Sequence, residues 1–316
     1  MSEAAPDLVF VGGTGRSGTH VIARLLGHHP RYHMVPVECR FHCNPRGLAD
    51  VVTGRATAED FLTKLRKFWW HRVRYGDRAL LRLRSIAGRG GKVRGLHKII
   101  PPDRFEEAVG RFEAGCADDV VLASRTLFFD LLRPLADEAG KPAIVEMSCF
   151  TIASAPGLTR IFPEARFVHA VRDGRDAGSS KAAKHQKEHH PTGVADGVDW
   201  WLERLRLAEQ GVRGLPDPGR VTPISLDELA WADRERAYAD LVGCLGLGDE
   251  PAMRRFFDSE MSAEAAHRER WREGLDAEEQ EAIREGYERA LERLAREGYH
   301  CADVLRRAYE RSLVAT

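Results

Sequence analysis

The chain has 316 residues, 43% of them hydrophobic, and its 48 basic and 48 acidic side chains give a formal net charge of zero. That length allows one large α/β domain or two small ones, and the charge balance leaves no global field for nucleic acid or an acidic membrane. No apolar run is long enough to cross a bilayer, and Met1 to Asp7 has neither a basic region nor a secretory apolar stretch, so a cytoplasmic enzyme is expected.

In chain order, residues 8–12 read as a buried strand, and 19–27 as a helix ended by Gly27 and Pro30. Tyr32 to Val37 is a second strand candidate that delivers Glu38. From about 57 to 75 the pattern is helical, with Phe61, Leu65, Phe68 and Trp69 on one side. Val120 to Ala123 reads as a short strand or a helix end, Thr126 to Glu138 as a helix and Ala143 to Met147 as a strand. Ala165 to Val171 is a further strand, feeding Arg172 to Ser180 into another helix. Residues 185–200 read as a mobile loop before a helix from Trp200 to Gln210. Asp276 opens the last long helix, with Glu279 completing a capping box and Ile283, Tyr287, Leu291 and Leu294 as the buried stripe up to Gly298. Strands alternating with helices predict an α/β fold with a mainly parallel central sheet flanked by helices. No internal repeat or low-complexity linker divides the chain, so a single domain is expected.

The most informative stretch is Phe10-Val-Gly-Gly-Thr-Gly-Arg-Ser-Gly-Thr-His20, a strand running into a glycine-rich turn and then a helix. Backbone N–H groups and a helix N-terminus converge on an anion in such a loop. Gly13-x-Gly15-x-x-Gly18 also fits a dinucleotide fingerprint, with Glu38 at the distance of a ribose ligand, as in an NAD(P)-dependent oxidoreductase. A nucleoside-triphosphate loop needs Lys and Ser/Thr where Thr19 and His20 stand, so neither the outer-phosphate lysine nor the magnesium hydroxyl is present. A loop for a 5′-phosphosulfate, with the cation Arg16 inside it and no metal, accounts for the polar Arg16, Ser17 and Thr19. Ligands of parallel sheets collect at the carboxyl ends of the strands, where both the Arg16 loop and the Arg172 segment fall.

The six cysteines (39, 43, 116, 149, 244 and 301) are scattered, as in a reduced compartment. Cys39-Arg-Phe-His42-Cys43 has the look of a metal cluster, but no second ligand pair stands at metal-site spacing, and ordinary thiols are expected. Between Lys64 and Lys98 lie about a dozen Lys and Arg residues and one acid, Asp77. An anionic acceptor explains that bias. A non-catalytic anion- or RNA-binding protein is the rival, because Phe68, Trp69, Trp70 and Tyr75 interleave with the charges. The helical spacing of the apolar residues favours core packing, and no nucleic-acid partner is expected.

Taken together, the residues resemble a sulfotransferase that uses 3′-phosphoadenosine 5′-phosphosulfate (PAPS). Phe10 to Thr19 is similar to that family's 5′-phosphosulfate loop, and Ile161 to Ser180 to its 3′-phosphate segment, where Arg172 and Ser180 would grip the 3′-phosphate. Arg270-Trp271-Arg272 resembles an Arg-Trp-Arg element of bacterial members, with Trp271 a candidate to stack on adenine. Glu38, ahead of Arg40-Phe41-His42, stands where many members carry a catalytic glutamate. Two departures matter: Glu146-Met-Ser-Cys149 replaces a common Glu-Lys-Thr-Pro, removing a lysine, and His20 replaces a hydroxyl residue.

The resemblance implies a P-loop-like architecture over 1–316, with acceptor-binding insertions around 40–115 and 182–215. It implies PAPS as donor without a metal, and a small-molecule or glycan-like acceptor. Gly15, Arg16, Ser17, Gly18, Thr19 and His20 would hold the phosphosulfate, and Arg172, Ser180, Arg270, Trp271 and Arg272 the rest of the donor. Arg16 would stabilise the leaving oxygen and Glu38 would act as general base, with His97 or His20 as alternatives. His42, His97 and Lys98 are candidates on the acceptor side.

Overall fold

The computed structural model describes residues 5–71, 95–183 and 191–314. Five strands, β1 (Leu8–Gly13), β2 (Tyr32–Met34), β3 (Ala143–Met147), β4 (Arg166–Val171) and β5 (Val221–Ser225), form one sheet in the order β2-β3-β1-β4-β5. Every pairing is parallel. β1 is apolar throughout because it is central and covered on both faces. Its alternate residues divide between two cores: Leu8 and Phe10 face one, Val9 and Val11 the other.

The Leu8 face is covered by α2 (Leu48–Val52), α3 (Ala58–Lys64), α4 (Pro102–Gly115), α5 (Val120–Glu138) and α6 (Ala155–Ile161). The Val9 face packs on α1 (Thr19–Gly27), α9 (Arg234–Cys244) and α10 (Pro251–Glu260). A third core joins the end of β4 to α7 (Gly174–Ala182), α8 (Val194–Arg213), α11 (Ala277–Arg296) and α12 (Ala302–Val314) around Trp201 and Tyr287. α7 and α8 approach backbone to backbone where Gly178 meets Gly197. A Cβ on Gly178 would lie 2.5 Å from the Gly197 carbonyl carbon.

The α/β fold with a parallel, helix-flanked sheet is as expected, with differences in detail. β2 stops at Met34 rather than Val37: Val35 N–H still bonds to the Val145 carbonyl, but Pro36 has no N–H to continue the ladder. Val120 to Ala123 is the first turn of α5, whose N-cap Asp119 accepts the N–H groups of Val121 and Leu122. The helix from 57 becomes a wider turn over Leu65–Trp70, and its predicted continuation to 75 falls outside the described residues. So does 72–94, the middle of the basic stretch with Tyr75 and Asp77, and 185–190 of the expected loop. α8 begins six residues ahead of Trp200, so the end of that expected loop is helix. α11 has the Asp276–Glu279 capping box, but it is followed by α12, and Ile283 is only half-buried. Among the described residues, no helix is long and apolar enough to cross a membrane.

Candidate active site

The β1–α1 loop is built on left-handed backbone. Gly15 and Gly18 have φ of 84° and 88°, and Arg16 adopts φ of 62°, which costs a non-glycine residue about 1–2 kcal/mol. Such strain is found where a loop is held for binding. Gly18 is the N-cap of α1 and brings no side-chain cap. The first turn of a helix offers its N–H groups no intrahelical acceptor, and Gly18 supplies no side-chain oxygen to them. Ser17 Oγ is fully buried against Gly13 and has no hydrogen-bond partner.

Arg16 turns its guanidinium across the sheet end. Its Nε and Nη2 donate to Ser180 Oγ at 2.9 and 2.7 Å. Arg172, at the end of β4 and 5% exposed, donates through Nη1 to the Arg16 carbonyl at 3.2 Å and through Nη2 to the Ala266 and His267 carbonyls. The loop and the Arg172–Ser180 segment, both expected at the carboxyl ends of strands, are thus in direct contact. Burial first, and then the positive charges of Arg172 and Arg270, push the Arg16 pKa below the usual guanidinium value. Among the described residues neither Arg16 nor Arg172 has a carboxylate within ion-pair distance.

The Arg270–Arg272 turn is tied to α7 by Asp176, which accepts the backbone N–H of Glu269 at 3.0 Å and of Trp271 at 3.1 Å. The Trp271 indole is 2% exposed and faces the Arg175 guanidinium, 4.6 Å from its centroid. It anchors the turn from below. Arg272 is exposed, 3.4 Å from Gln280. Burial, with the nearby Asp173 adding to it, pushes Asp176 up to about 7; Arg172 and the Trp271 N–H oppose this.

Glu38 lies beyond β2 on a segment pinned to β3. Glu146 Oε1 accepts the Cys39 N–H at 3.1 Å and the Ser148 hydroxyl at 2.7 Å, and Ser148 Oγ accepts the Arg40 N–H at 3.1 Å. This clamp holds Arg40 at φ of 64°. Glu38 Oε2 takes Arg40 Nε at 2.8 Å, and Oε1 faces Cys149 Sγ at 3.7 Å. Burial and the Glu38 charge push the Cys149 thiol up to about 12, so it stays protonated and is no nucleophile at neutral pH.

The acceptor-side candidates scatter. His42 is wholly buried, 2.9 Å from Glu146 Oε2 and stacked on Phe10, so it cannot meet an acceptor and instead backs the clamp. His97 Nδ1 pairs with the Trp70 carbonyl at 2.7 Å and its ring lies 4.4 Å from that of His71, while Lys98 is exposed. His20 is exposed on the first turn of α1. Among the described residues no group of three His, Cys, Asp or Glu could hold a metal, and Cys39 and Cys43 are buried thiols.

Beside the loop is a cavity of about 170 Å³ whose wall includes Gly13 to Gly15, Arg40, Cys149, Lys181, Trp200 and Arg204. Sequence reasoning missed most of these residues. The i, i+4 spacing of Trp200 and Arg204, which puts both on one face of a helix, was the available signal. Arg40, Ser148 and Cys149 became legible only once β2 and β3 were paired.

The sequence model of the sulfotransferase family matches residues 6–251. No curated protein sequence matches the chain. Among solved structures it is similar to the sulfotransferase STF1 of Mycobacterium tuberculosis H37Rv, at 16% identity over 90% of this chain and 77% of that one, with a TM-score of 0.44. It is also similar to the sulfotransferase domain of the curacin biosynthetic pathway, at 13% identity over 84% and 83% of the two chains, TM-score 0.47. The sulfotransferase domain of the Synechococcus PCC 7002 olefin synthase is 13% identical over 91% and 96%, TM-score 0.46.

Proposed function

This chain belongs to the sulfotransferase family, and from that premise we propose that it moves a sulfuryl group from PAPS to a hydroxyl or amine of a small-molecule or glycan-like acceptor. The carrying observation is the cation group at the ends of β1 and β4. Arg16 and Arg172 lie together with no carboxylate within ion-pair distance among the described residues, and Arg270 is close enough to depress the Arg16 pKa. Like charges held this close are relieved by a multiply charged anion. A dinucleotide enzyme accounts for the glycine loop but leaves the Arg172–Ser180 side of the group unexplained.

The residues present suit the donor. Arg172, Ser180 and Arg270 would hold the 3′-phosphate, and the N–H groups of Ser17 to His20 with Arg16 would hold the 5′ end. Gly15, Gly18 and Thr19 shape that loop, and Trp271 would act by fixing Arg270 and Arg272 in place. When bound, the donor supplies the sulfuryl group: the acceptor oxygen or nitrogen forms the new bond to sulfur while the bond from sulfur to the 5′-phosphate oxygen breaks, leaving adenosine 3′,5′-bisphosphate.

Glu38 takes the acceptor's proton at Oε1, the oxygen that accepts the weak Cys149 thiol donor at 3.7 Å while Arg40 holds Oε2. Arg16 and the loop N–H groups stabilise the charge gathering on the departing oxygen. The clamp of Glu146 and Ser148 keeps Glu38 in position. The acceptor would be bound by residues of segments 40–115 and 182–215 of a single domain, from which Arg40, Asn44, Trp200 and Arg204 reach the cavity wall.

Calorimetry in a magnesium-free buffer tests the donor assignment. Adenosine 3′,5′-bisphosphate should bind without metal. Arg172→Ala and Ser180→Ala should weaken it tenfold or more relative to adenosine 5′-phosphate, because a hydrogen bond to a charged group contributes about 1.5–3 kcal/mol. Equal weakening of both ligands would remove the 3′-phosphate assignment, and a strict metal requirement would favour a kinase.

A further inference from the structure

The cavity beside Glu38 has a composition of its own. Three cations, Arg40, Lys181 and Arg204, reach its wall, and no Asp or Glu does among the residues that line it. Arg40 is neutralised by Glu38. Arg204, from α8, has no carboxylate partner among the described residues; its Nε is buried without a hydrogen-bond partner, and its guanidinium lies 5.0 Å over the Phe150 ring. Lys181 Nζ stands 5.3 Å from the Trp200 ring centroid. The walls between these charges are Trp200 and Phe150, flat and apolar.

Size narrows the occupant further. The cavity measures about 170 Å³, and a cavity of about 150 Å³ accommodates one benzene ring. A planar guanidinium with an unpaired N–H matches a carboxylate better than it matches a neutral group. We propose that the acceptor is a small hydroxyaryl acid: one aromatic ring between Trp200 and Phe150, its carboxylate on Arg204 and Lys181, and its hydroxyl toward Glu38. This rests on the sulfuryl-transfer reading above. The phenol proton passes to Glu38, the phenol oxygen gains the bond to sulfur as the bond from sulfur to the donor's 5′-phosphate oxygen breaks, and an aryl sulfate ester with its carboxylate unchanged leaves beside adenosine 3′,5′-bisphosphate.

Binding is the test, read by quenching of Trp200 fluorescence and by calorimetry on the full chain, first alone and then saturated with adenosine 3′,5′-bisphosphate. The probes are 4-hydroxyphenylacetate and its methyl ester, which differ by one charge. The acid should bind about tenfold or more tighter than the ester, the scale of a charge-assisted hydrogen bond. Arg204→Met should erase most of that preference, and Lys181→Gln part of it, with melting temperatures close to the parent chain. Equal binding of acid and ester, or retention of the full preference in both variants, would overturn the proposal. If the bisphosphate binds and the preference is absent, the acceptor inference alone falls. If the preference is present and the bisphosphate fails to bind, the acid site stands and the donor reading falls.

Discussion

Replacing Glu38 by Gln separates chemistry from scaffolding. The amide keeps the size of the carboxylate and one acceptor for Arg40 Nε, now 2.8 Å from Oε2, but it cannot take a proton. The pair that is lost is partly solvated, with side-chain exposures of 21% for Glu38 and 34% for Arg40. An ion pair of that kind contributes about 0–1 kcal/mol, which in a large domain lowers Tm by at most about 2–4 °C. Loss of a positioned general base lowers turnover by about 100- to 10,000-fold, equivalent to roughly 3–5 kcal/mol of barrier. The rate effect therefore exceeds anything the stability change can produce. The assay pairs turnover, followed as the mass gain of one sulfuryl group on 4-hydroxyphenylacetate, with Tm and with calorimetry of adenosine 3′,5′-bisphosphate. Donor affinity should hardly change, because Glu38 bonds to Arg40 and Cys149 of the cavity wall and not to Arg16 or Arg172. Turnover within a few-fold of the parent enzyme would refute the assignment and move the search for a base to His97 or His20. A large loss of bisphosphate affinity would instead put Glu38 on the nucleotide.

The Glu146 clamp predicts that Glu146→Ala, which strips the Cys39 N–H and the Ser148 hydroxyl of their acceptor, costs about 1–3 kcal/mol for each group left unsatisfied, several degrees in Tm; an unchanged melt would show that the clamp is slack. Gly178→Ala pushes a Cβ to 2.5 Å from the Gly197 backbone, so α7 and α8 must separate at a cost of about 1–3 kcal/mol, and thermal melts should show it. Burial raises Asp176 to about 7 and Asp227 to about 6, so between roughly pH 4 and 7 the folded chain holds protons that the unfolded chain has released. Stability from these groups therefore falls as pH rises through that window and levels off above it. Asp176→Asn should flatten the fall in Tm across pH 5 to 8, and identical slopes in the two proteins would sink this reading.

Much of the fold was legible along the chain because parallel strands buried on both faces must be largely apolar. Leu8–Gly13 shows this plainly, and Ala143–Met147 and Arg166–Val171 do so apart from Glu146, Arg166 and His169. The glycine turn before α1 and the Asp276–Glu279 capping box are likewise local chemistry, fixed by a few neighbouring residues. β5 carries Pro223 and partly exposed positions, so its signal is weak, and only its register against β4 makes it a strand. The site divides along the same line. Residue types and spacing put Arg16 and Arg172 at strand ends, Ser180 on the helix that follows Arg172, and Glu38 after the second strand. That Arg16 meets Ser180 across 164 positions of sequence, that Glu146 holds Glu38 in place from a neighbouring strand, and that Trp200 and Arg204 wall the cavity follow from the order β2-β3-β1-β4-β5 and from the close crossing of α7 and α8. Local sequence sets what a segment can form, but contacts between distant segments depend on how the two faces of the sheet are covered, and that is settled only when the whole core packs.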